Sequence, residues 1–137
     1  MASEPVQLEL LKRRGKKPFN ALPEPDELQI HQAVVSRLRW QCKPGIIWWH
    51  TPNGEERDKR IAAKLKSMGV RRGVADLQFL FPVPAPNLFL ELKARGRVLN
   101  DDQKIFRDGV RAQGHLYEWT DSLDDAIRIL RVHKIVP

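Results

Sequence analysis

Apolar and polar positions in the first half of the chain follow the period of a helix and then that of a strand. Asp26 stands where a helix N-cap would, and Pro52-Asn53-Gly54 closes the segment. Ile46-Ile47-Trp48-Trp49 follows Gly45 and predicts a strand through its β-branched and aromatic content. The positions that recur at three-to-four spacing and predict one buried helical face are Leu28, His31, Val34, Val35 and Leu38.

The second half of the chain carries further helix and strand patterns. A loop containing Pro82, Pro84 and Pro86 separates two strand patterns, because proline cannot donate to a sheet ladder. The order α-β-α-β-β-α-β-α predicts a mixed α/β fold, a small central mixed sheet flanked by helices. The predicted elements are a helix from Glu55 to Met68, strands over Val74 to Leu80 and Leu88 to Lys93, a helix from Asn100 to Gly114, a strand from His115 to Trp119, and a last helix capped by Asp121 or Ser122.

Residues 1–24 differ from the rest of the chain. They hold a basic run from Lys12 to Lys17, and prolines at 18, 23 and 25 interrupt any regular element. We therefore expect a basic, flexible N-terminal arm over 1–24 and one domain over 25–137, since 137 residues suit a single core. The basic run is read equally well as a phosphate contact and as a solvated segment.

The positive net charge of the chain is the first indication of its binding partners. Lys and Arg number 24 against 17 Asp and Glu, a formal net charge of +7. A basic surface favours polyanionic partners, of which nucleic acid is the commonest, although charge also serves solubility. No apolar run approaches the roughly 20 residues of a membrane helix, and the start lacks a secretory pattern. With Cys42 as the single cysteine, we expect a cytoplasmic protein that is not secreted.

Charged residues interrupt the two neighbouring strand patterns. The period of two residues in a strand places Phe89, Glu91 and Lys93 on one face. A carboxylate and an ammonium therefore point in the same direction from an otherwise apolar strand. Asp76 interrupts the preceding strand in the same way, and pairing of the two strands would bring it close to Glu91. Two carboxylates at close range repel unless a cation lies between them, and Mg²⁺ or Mn²⁺ suits such oxygen ligands.

These residues carry a resemblance to known nucleases. Asp76, a hairpin-like connection and Glu91-Leu92-Lys93 are similar to the D…ExK core of the PD-(D/E)XK nuclease superfamily. Five blocks resemble the VRR-NUC family in their order and span roughly 27–119. Ala75 departs from that pattern, since relatives often carry proline before the aspartate. The five blocks are Glu27, His50-Thr51-Pro52-Asn53-Gly54, Gly73-Val74-Ala75-Asp76, Leu90-Glu91-Leu92-Lys93 and Gln103.

The resemblance implies a small PD-(D/E)XK nuclease-like fold and a role for each block. Asp76, Glu91 and the backbone carbonyl of Leu92 would be metal ligands, and Glu27 would reach the metal directly or through water. Lys93 would orient or help deprotonate the attacking water and offset charge on the phosphate. Gln103 would stand beside Lys93. The residues around His50 and Asn53 would line the site and contact nucleic acid.

A basic stretch lies next to these blocks. Arg57, Arg60 and Lys64 share one side of the predicted second helix, and Arg71 and Arg72 come shortly before Asp76. We interpret them as a groove that follows phosphates toward the metal. The alternative is a solvated helix face balanced by nearby acids.

The implied activity is that of a Mg²⁺- or Mn²⁺-dependent, structure-specific DNA endonuclease. Branched DNA is the implied substrate, as for Holliday-junction resolvases, with a homodimer supplying two sites and a nucleoid-associated role in DNA repair and recombination. Flap- or nick-directed cleavage, an RNA-directed hydrolase or accessory subunit, and a non-catalytic DNA-binding module remain alternatives.

Each site residue also has a purely structural interpretation. Glu91 and Lys93 could be a surface ion pair, and Asp76 could begin a turn. Gln103 fits the third position of a helix capping box that starts at Asn100. All of these interpretations would have to hold together, in the order of the family blocks, to replace the nuclease hypothesis.

Overall fold

The computed structural model describes residues 23–52 and 58–137. Within these ranges the helices and strands follow the predicted order. Residues 1–22 of the arm predicted over 1–24 lie outside the described residues. None of the described helices combines the length and apolar character that a membrane crossing requires. The elements are α1 (Glu27–Gln41), β1 (Ile47–His50), α2 (Lys59–Ser67), β2 (Leu77–Leu80), β3 (Leu88–Leu92), α3 (Asp101–Ala112), β4 (Leu116–Thr120) and α4 (Leu123–Val132).

The four strands form one mixed sheet in the order β1-β2-β3-β4. β1 pairs with β2, and β2 with β3, in antiparallel fashion, and the proline loop joins the second pair. β3 and β4 run parallel, and α3 makes the crossover that a parallel pair needs. Leu77 pairs with Leu90, so Asp76 and Glu91 stand opposite one another where β2 begins and β3 ends.

Helices cover both faces of the sheet. α1 and α4 pack on one face, where the alternating leucines of β3 enter the main core. α3 covers a smaller apolar cluster on the other face. The main-core residues are Ile30, Val34, Leu38, Leu77, Phe79, Leu88, Leu90, Leu92, Ala126, Ile129, Leu130, Ile135 and Val136, and the buried residues of the smaller cluster are Ala75, Leu99, Val110 and Tyr117. The α/β fold class predicted from the sequence is confirmed.

Two details of the predicted helices are corrected. The buried stripe of α1 is Ile30, Val34 and Leu38, and Leu28 is 63% exposed. At about 100° per residue, Leu28 lies roughly 200° from Ile30 and therefore faces solvent. The second helix begins at Lys59, where the Asp58 side chain accepts a hydrogen bond from Arg60 N–H; its predicted start at Glu55 lies outside the described residues.

Candidate active site

Asp76 and Glu91 meet inside the protein at the junction of β2 and β3. Their exposed fractions are 9% and 3%. The main-chain N–H of Asp76 donates to Glu91 Oε2 at 3.2 Å, and the main-chain N–H of Leu92 donates to Asp76 Oδ2 at 2.8 Å. Each carboxylate is therefore oriented by the backbone of the opposite strand. The closeness predicted from the sequence is present.

Two further side chains converge on the other oxygen of Glu91. Gln103 Nε2 donates to Glu91 Oε1 at 2.7 Å, and Lys93 Nζ lies 3.5 Å from the same atom. The Lys93 side chain is 12% exposed, so this ion pair is largely shielded from water. The structure thus brings Asp76, Glu91, Lys93 and Gln103 together.

Gln103 is both a helix-capping residue and a site residue. Its Oε1 accepts from the main-chain N–H of Asn100, and its main-chain N–H donates to Asn100 Oδ1, which completes a capping box on α3. Its Nε2 is left to reach Glu91. The structural and functional interpretations of Gln103 are therefore compatible, because they use different atoms of one amide.

Gly73 allows α3 to approach the sheet. Its φ is +79°, a left-handed conformation that side chains disfavour, and a Cβ there would overlap the main-chain carbonyl of Asp102. This close approach seats the start of α3, and with it Gln103, beside Glu91. Sequence reasoning included Gly73 in a family block but did not assign it this role.

The buried carboxylates do not ionise easily. Burial raises the pKa of Glu91, and the charge of Asp76 raises it further, while Lys93 opposes the shift. Burial likewise raises the pKa of Asp76, with a smaller contribution from Glu27. Tyr117 belongs to the same environment: burial and the charge of Glu91 hold its pKa well above the usual range. Among the described residues its buried hydroxyl has no hydrogen-bond partner.

The donor set fits a hard divalent cation. Two carboxylates are held side by side, and Lys93 offsets only one of their two charges. Burial is the main cause that raises the pKa of each carboxyl, and a bound cation would offset the cost of ionising both. Glu27, exposed in the first turn of α1, adds a third carboxylate near enough to influence Asp76.

A cavity of about 780 Å³ opens onto the two carboxylates. Its lining includes two cations, Lys66 of α2 and Arg72 of the following loop, and a third acid, Asp102 of α3. Arg60 and Lys64, predicted to line a groove, are exposed on α2 but do not line this cavity. At about 100° per residue they lie roughly 120° and 160° around the helix from Lys66.

The remaining predicted nucleic-acid residues have different positions. His50 is at the site, where its Nδ1 lies 2.7 Å from the main-chain oxygen of Asp76. Arg71 places its guanidinium 5.8 Å from the centre of the Phe106 ring. Asn53 and Arg57 lie outside the described residues.

Histidine contacts at the site were missed by sequence reasoning. The His31 and His50 rings meet edge to face with centroids 4.4 Å apart. Burial and the neighbouring His50 lower the pKa of His31. The four-residue spacing of Glu27 and His31 places these two side chains next to each other on α1. Among the described contacts, the His31 ring instead packs against the His50 ring. His50 belongs to β1, so only the folded chain brings the two histidines together.

Comparisons with known proteins bear on the fold. A solved structure described as a VRR_NUC domain protein superposes with a TM-score of 0.60 over 80% of this chain and 88% of that chain, at 21% identity. The mixed sheet and its helices therefore match a VRR_NUC-like nuclease fold. No family model matches the chain. Zinc finger CCCH domain-containing protein 30 of Oryza sativa subsp. japonica is 28% identical over a 93-residue alignment that covers 64% of this chain but only 19% of that protein.

Proposed function

We propose that the chain is a metal-dependent nuclease that hydrolyses phosphodiester bonds at the site formed by Asp76, Glu91 and Lys93. The observation that carries this proposal is the buried carboxylate pair, which backbone N–H groups hold beside a shielded lysine and which lines a cavity. A surface ion pair would need neither the burial nor the cavity. The match to a VRR_NUC-like fold is consistent with this activity.

Asp76, Glu91 and the backbone carbonyl of Leu92 would hold the metal, with Glu27 as a direct or water-mediated ligand. We propose Mg²⁺ or Mn²⁺, because the donors are oxygens. When bound, such an ion lowers the pKa of water and offsets charge on a phosphoryl oxygen.

The chain's own groups would do the remaining work. Lys93, held near Glu91, would place its ammonium toward the phosphate and oppose the negative charge that develops there. It would also orient the attacking water. Gln103 Nε2 donates a hydrogen bond to Glu91 Oε1 and so keeps the Glu91 carboxylate from rotating. Water attack in line with the departing 3′ oxygen would leave a 5′-phosphate and a 3′-hydroxyl.

Basic residues around the cavity support a nucleic-acid substrate. Arg72 and Lys66 line the approach to the carboxylates, and the chain as a whole carries a formal charge of +7. Further phosphate contacts would come from residues beyond the cavity wall: Arg60, Lys64, Arg71, His50, Asn53 and Arg57.

We further propose that the substrate is branched DNA, cut by a homodimer in the manner of a Holliday-junction resolvase, in DNA repair or recombination at the nucleoid. One domain holds one site, so two symmetric incisions need two copies. The described residues contain no helix-turn-helix, and recognition would therefore rest on DNA shape and phosphate position rather than on base edges.

The test is cleavage of labelled four-way junction, flap, nicked and linear duplex DNA, with matched RNA forms, in Mg²⁺ or Mn²⁺. Lys93→Ala should abolish cleavage. Lys43→Ala, which removes an exposed lysine just beyond the opposite end of α1 from Glu27, is the matched control and should retain it.

Cleavage confined to the four-way junction supports the full proposal. Cleavage of flap or nicked DNA supports the nuclease and replaces the substrate, and cleavage of RNA alone makes the protein an RNA-directed hydrolase. Salt-sensitive binding of DNA without cutting in either metal refutes the activity and leaves a binding module.

A further inference from the structure

Two imidazoles lie close to the Asp76 carboxylate. One nitrogen each of His31 and His50 and one oxygen of Asp76 all lie within 4.8 Å of one another. The two histidines come from different elements, α1 and β1, so only the fold brings them together. Two imidazoles and a carboxylate are the ligand set of many zinc enzymes.

The backbone fixes how His50 presents its ring. A carbonyl oxygen only accepts hydrogen bonds, so the short contact to the main-chain oxygen of Asp76 requires Nδ1 to carry the proton and donate. In the neutral ring, Nε2 then keeps its lone pair for a ligand. Metal-binding histidines are commonly oriented in this way, by donating the other ring N–H to a backbone carbonyl.

An open approach to the imidazoles exists. His31 and His50 line a groove of about 640 Å³, separate from the cavity over Asp76 and Glu91 and walled elsewhere by α1 and Trp48. Asp76 does not line this groove, so an ion that enters there would meet the two imidazoles first. Around a tetrahedral zinc ion, ligand atoms lie roughly 3.3 Å apart, given bonds of about 2.0–2.1 Å. The nitrogen and oxygen atoms that lie within 4.8 Å of one another would therefore have to draw closer together around a bound ion.

We infer that His31, His50 and Asp76 form a second metal site, which takes a divalent transition-metal ion such as Zn²⁺ or Co²⁺ in preference to Mg²⁺. Imidazole nitrogen suits these ions, whereas Mg²⁺ favours oxygen donors. Asp76 is shared with the proposed hydrolytic site, and a carboxylate has enough lone pairs to serve both. The inference goes beyond the proposed function and does not require it.

Cobalt binding followed by visible absorption tests the inference without measuring activity. All titrations use the full chain in a Glu91→Gln background, which removes the oxygen-rich site and leaves the imidazoles. We expect one Co²⁺ per chain, competed away by Zn²⁺ but not by millimolar Mg²⁺. Adding His31→Gln or His50→Gln should weaken binding by at least about tenfold, the size found even for supporting residues of metal sites.

His133→Gln is the matched control, because His133 is a half-buried histidine whose Nε2 lies 3.4 Å from Glu118, away from Asp76. It should bind cobalt as the parent does. A Zn²⁺-induced rise in melting temperature, present in the parent and absent in the His31 and His50 variants, checks the result in protein shown to be folded by circular dichroism.

Two results would overturn the inference and leave the two rings as a packing contact. One is the absence of cobalt binding in the Glu91→Gln chain, and the other is equal cobalt binding by this chain and by the chain that also carries His31→Gln. The proposed function is judged separately, in the chain that keeps Glu91: absence of nuclease activity there, with cobalt binding intact in the Glu91→Gln background, would refute only the hydrolytic site. Cleavage by the chain that keeps Glu91, without cobalt binding, would refute only the second metal site.

Discussion

Glu91→Gln should make the metal-free protein more stable while it abolishes cleavage. The carboxyl has an ordinary pKa of 4.5, which the folded protein raises to about 8. At pH 7 the folded chain must therefore keep a proton that the unfolded chain has released. Below pH 4.5 both states are protonated and Glu91 has no such cost; the cost accumulates as pH rises from 4.5 to 8.

The magnitude follows from that interval. At pH 7 the medium lies about 2.5 pKa units above the ordinary value, and each unit corresponds to about 1.36 kcal/mol, which gives a cost of about 3 kcal/mol. Glutamine resembles the protonated acid and avoids this cost. A less favourable hydrogen bond to Asp76 N–H or Gln103 would offset about 1 kcal/mol. The expected net gain is about 2–3 kcal/mol at pH 7, falling below about 1 kcal/mol at pH 5.

Urea unfolding in EDTA at pH 5 and pH 7 measures both values. Glu118→Gln is the matched control: Glu118 lies on β4, has a 42% exposed side chain and lies 3.4 Å from His133 Nε2. It should change stability by less than about 0.5 kcal/mol. Destabilisation by Glu91→Gln at pH 7, or a gain that does not depend on pH, would show that Glu91 serves as a structural partner of Lys93.

Three further substitutions test parts of the site. Gly73→Ala should lower the unfolding free energy in urea by more than Gly114→Ala, because both glycines have positive φ but only Gly73 abuts another backbone; strain alone costs about 1–3 kcal/mol, and equal losses would refute the close approach. Gln103→Ala should reduce cleavage far more than Asn100→Ala, which also loses the α3 cap, worth about 1 kcal/mol, but keeps the amide on Glu91; equal cleavage losses at equal stability would contradict this. Arg72→Ala should reduce, by about 1, the slope of the logarithm of the DNA-binding constant against the logarithm of the salt concentration. Arg128→Ala, which removes an exposed arginine on α4, should leave this slope unchanged. Equal slopes for the two variants would argue against a phosphate contact in the cavity.

The sequence predicted those features that depend on the spacing of residues close together in the chain. The alternation of β3 predicted that its leucines share one face and Glu91 the other; the leucines enter the main core, and Glu91 is buried outside that core. The antiparallel pairing of β2 and β3 then made the approach of Asp76 to Glu91 a consequence of register. The capping box at Asn100 was equally local, and it is present.

What the sequence could not supply depends on contacts between distant segments. The close approach of Gly73 to α3 brings a loop against the start of a helix 28 residues later in the chain, and no spacing rule in the sequence relates the two. The His31–His50 contact has the same character. The choice of Lys66 over Lys64 for the cavity depends on how α2 is rotated relative to the sheet, and α2 has no buried residue that would fix this rotation.

The central claim is that water hydrolyses a phosphodiester bond at Asp76, Glu91 and Lys93. The most direct measurement is cleavage of a labelled four-way junction in ¹⁸O-enriched water with Mg²⁺ or Mn²⁺, comparing the parent chain, Glu91→Gln and Glu118→Gln. We predict one ¹⁸O atom in the 5′-phosphate of the product from the parent and from Glu118→Gln, and no product from Glu91→Gln or in EDTA. Product formed equally by Glu91→Gln, or DNA bound by the parent without any cleavage, would contradict the account.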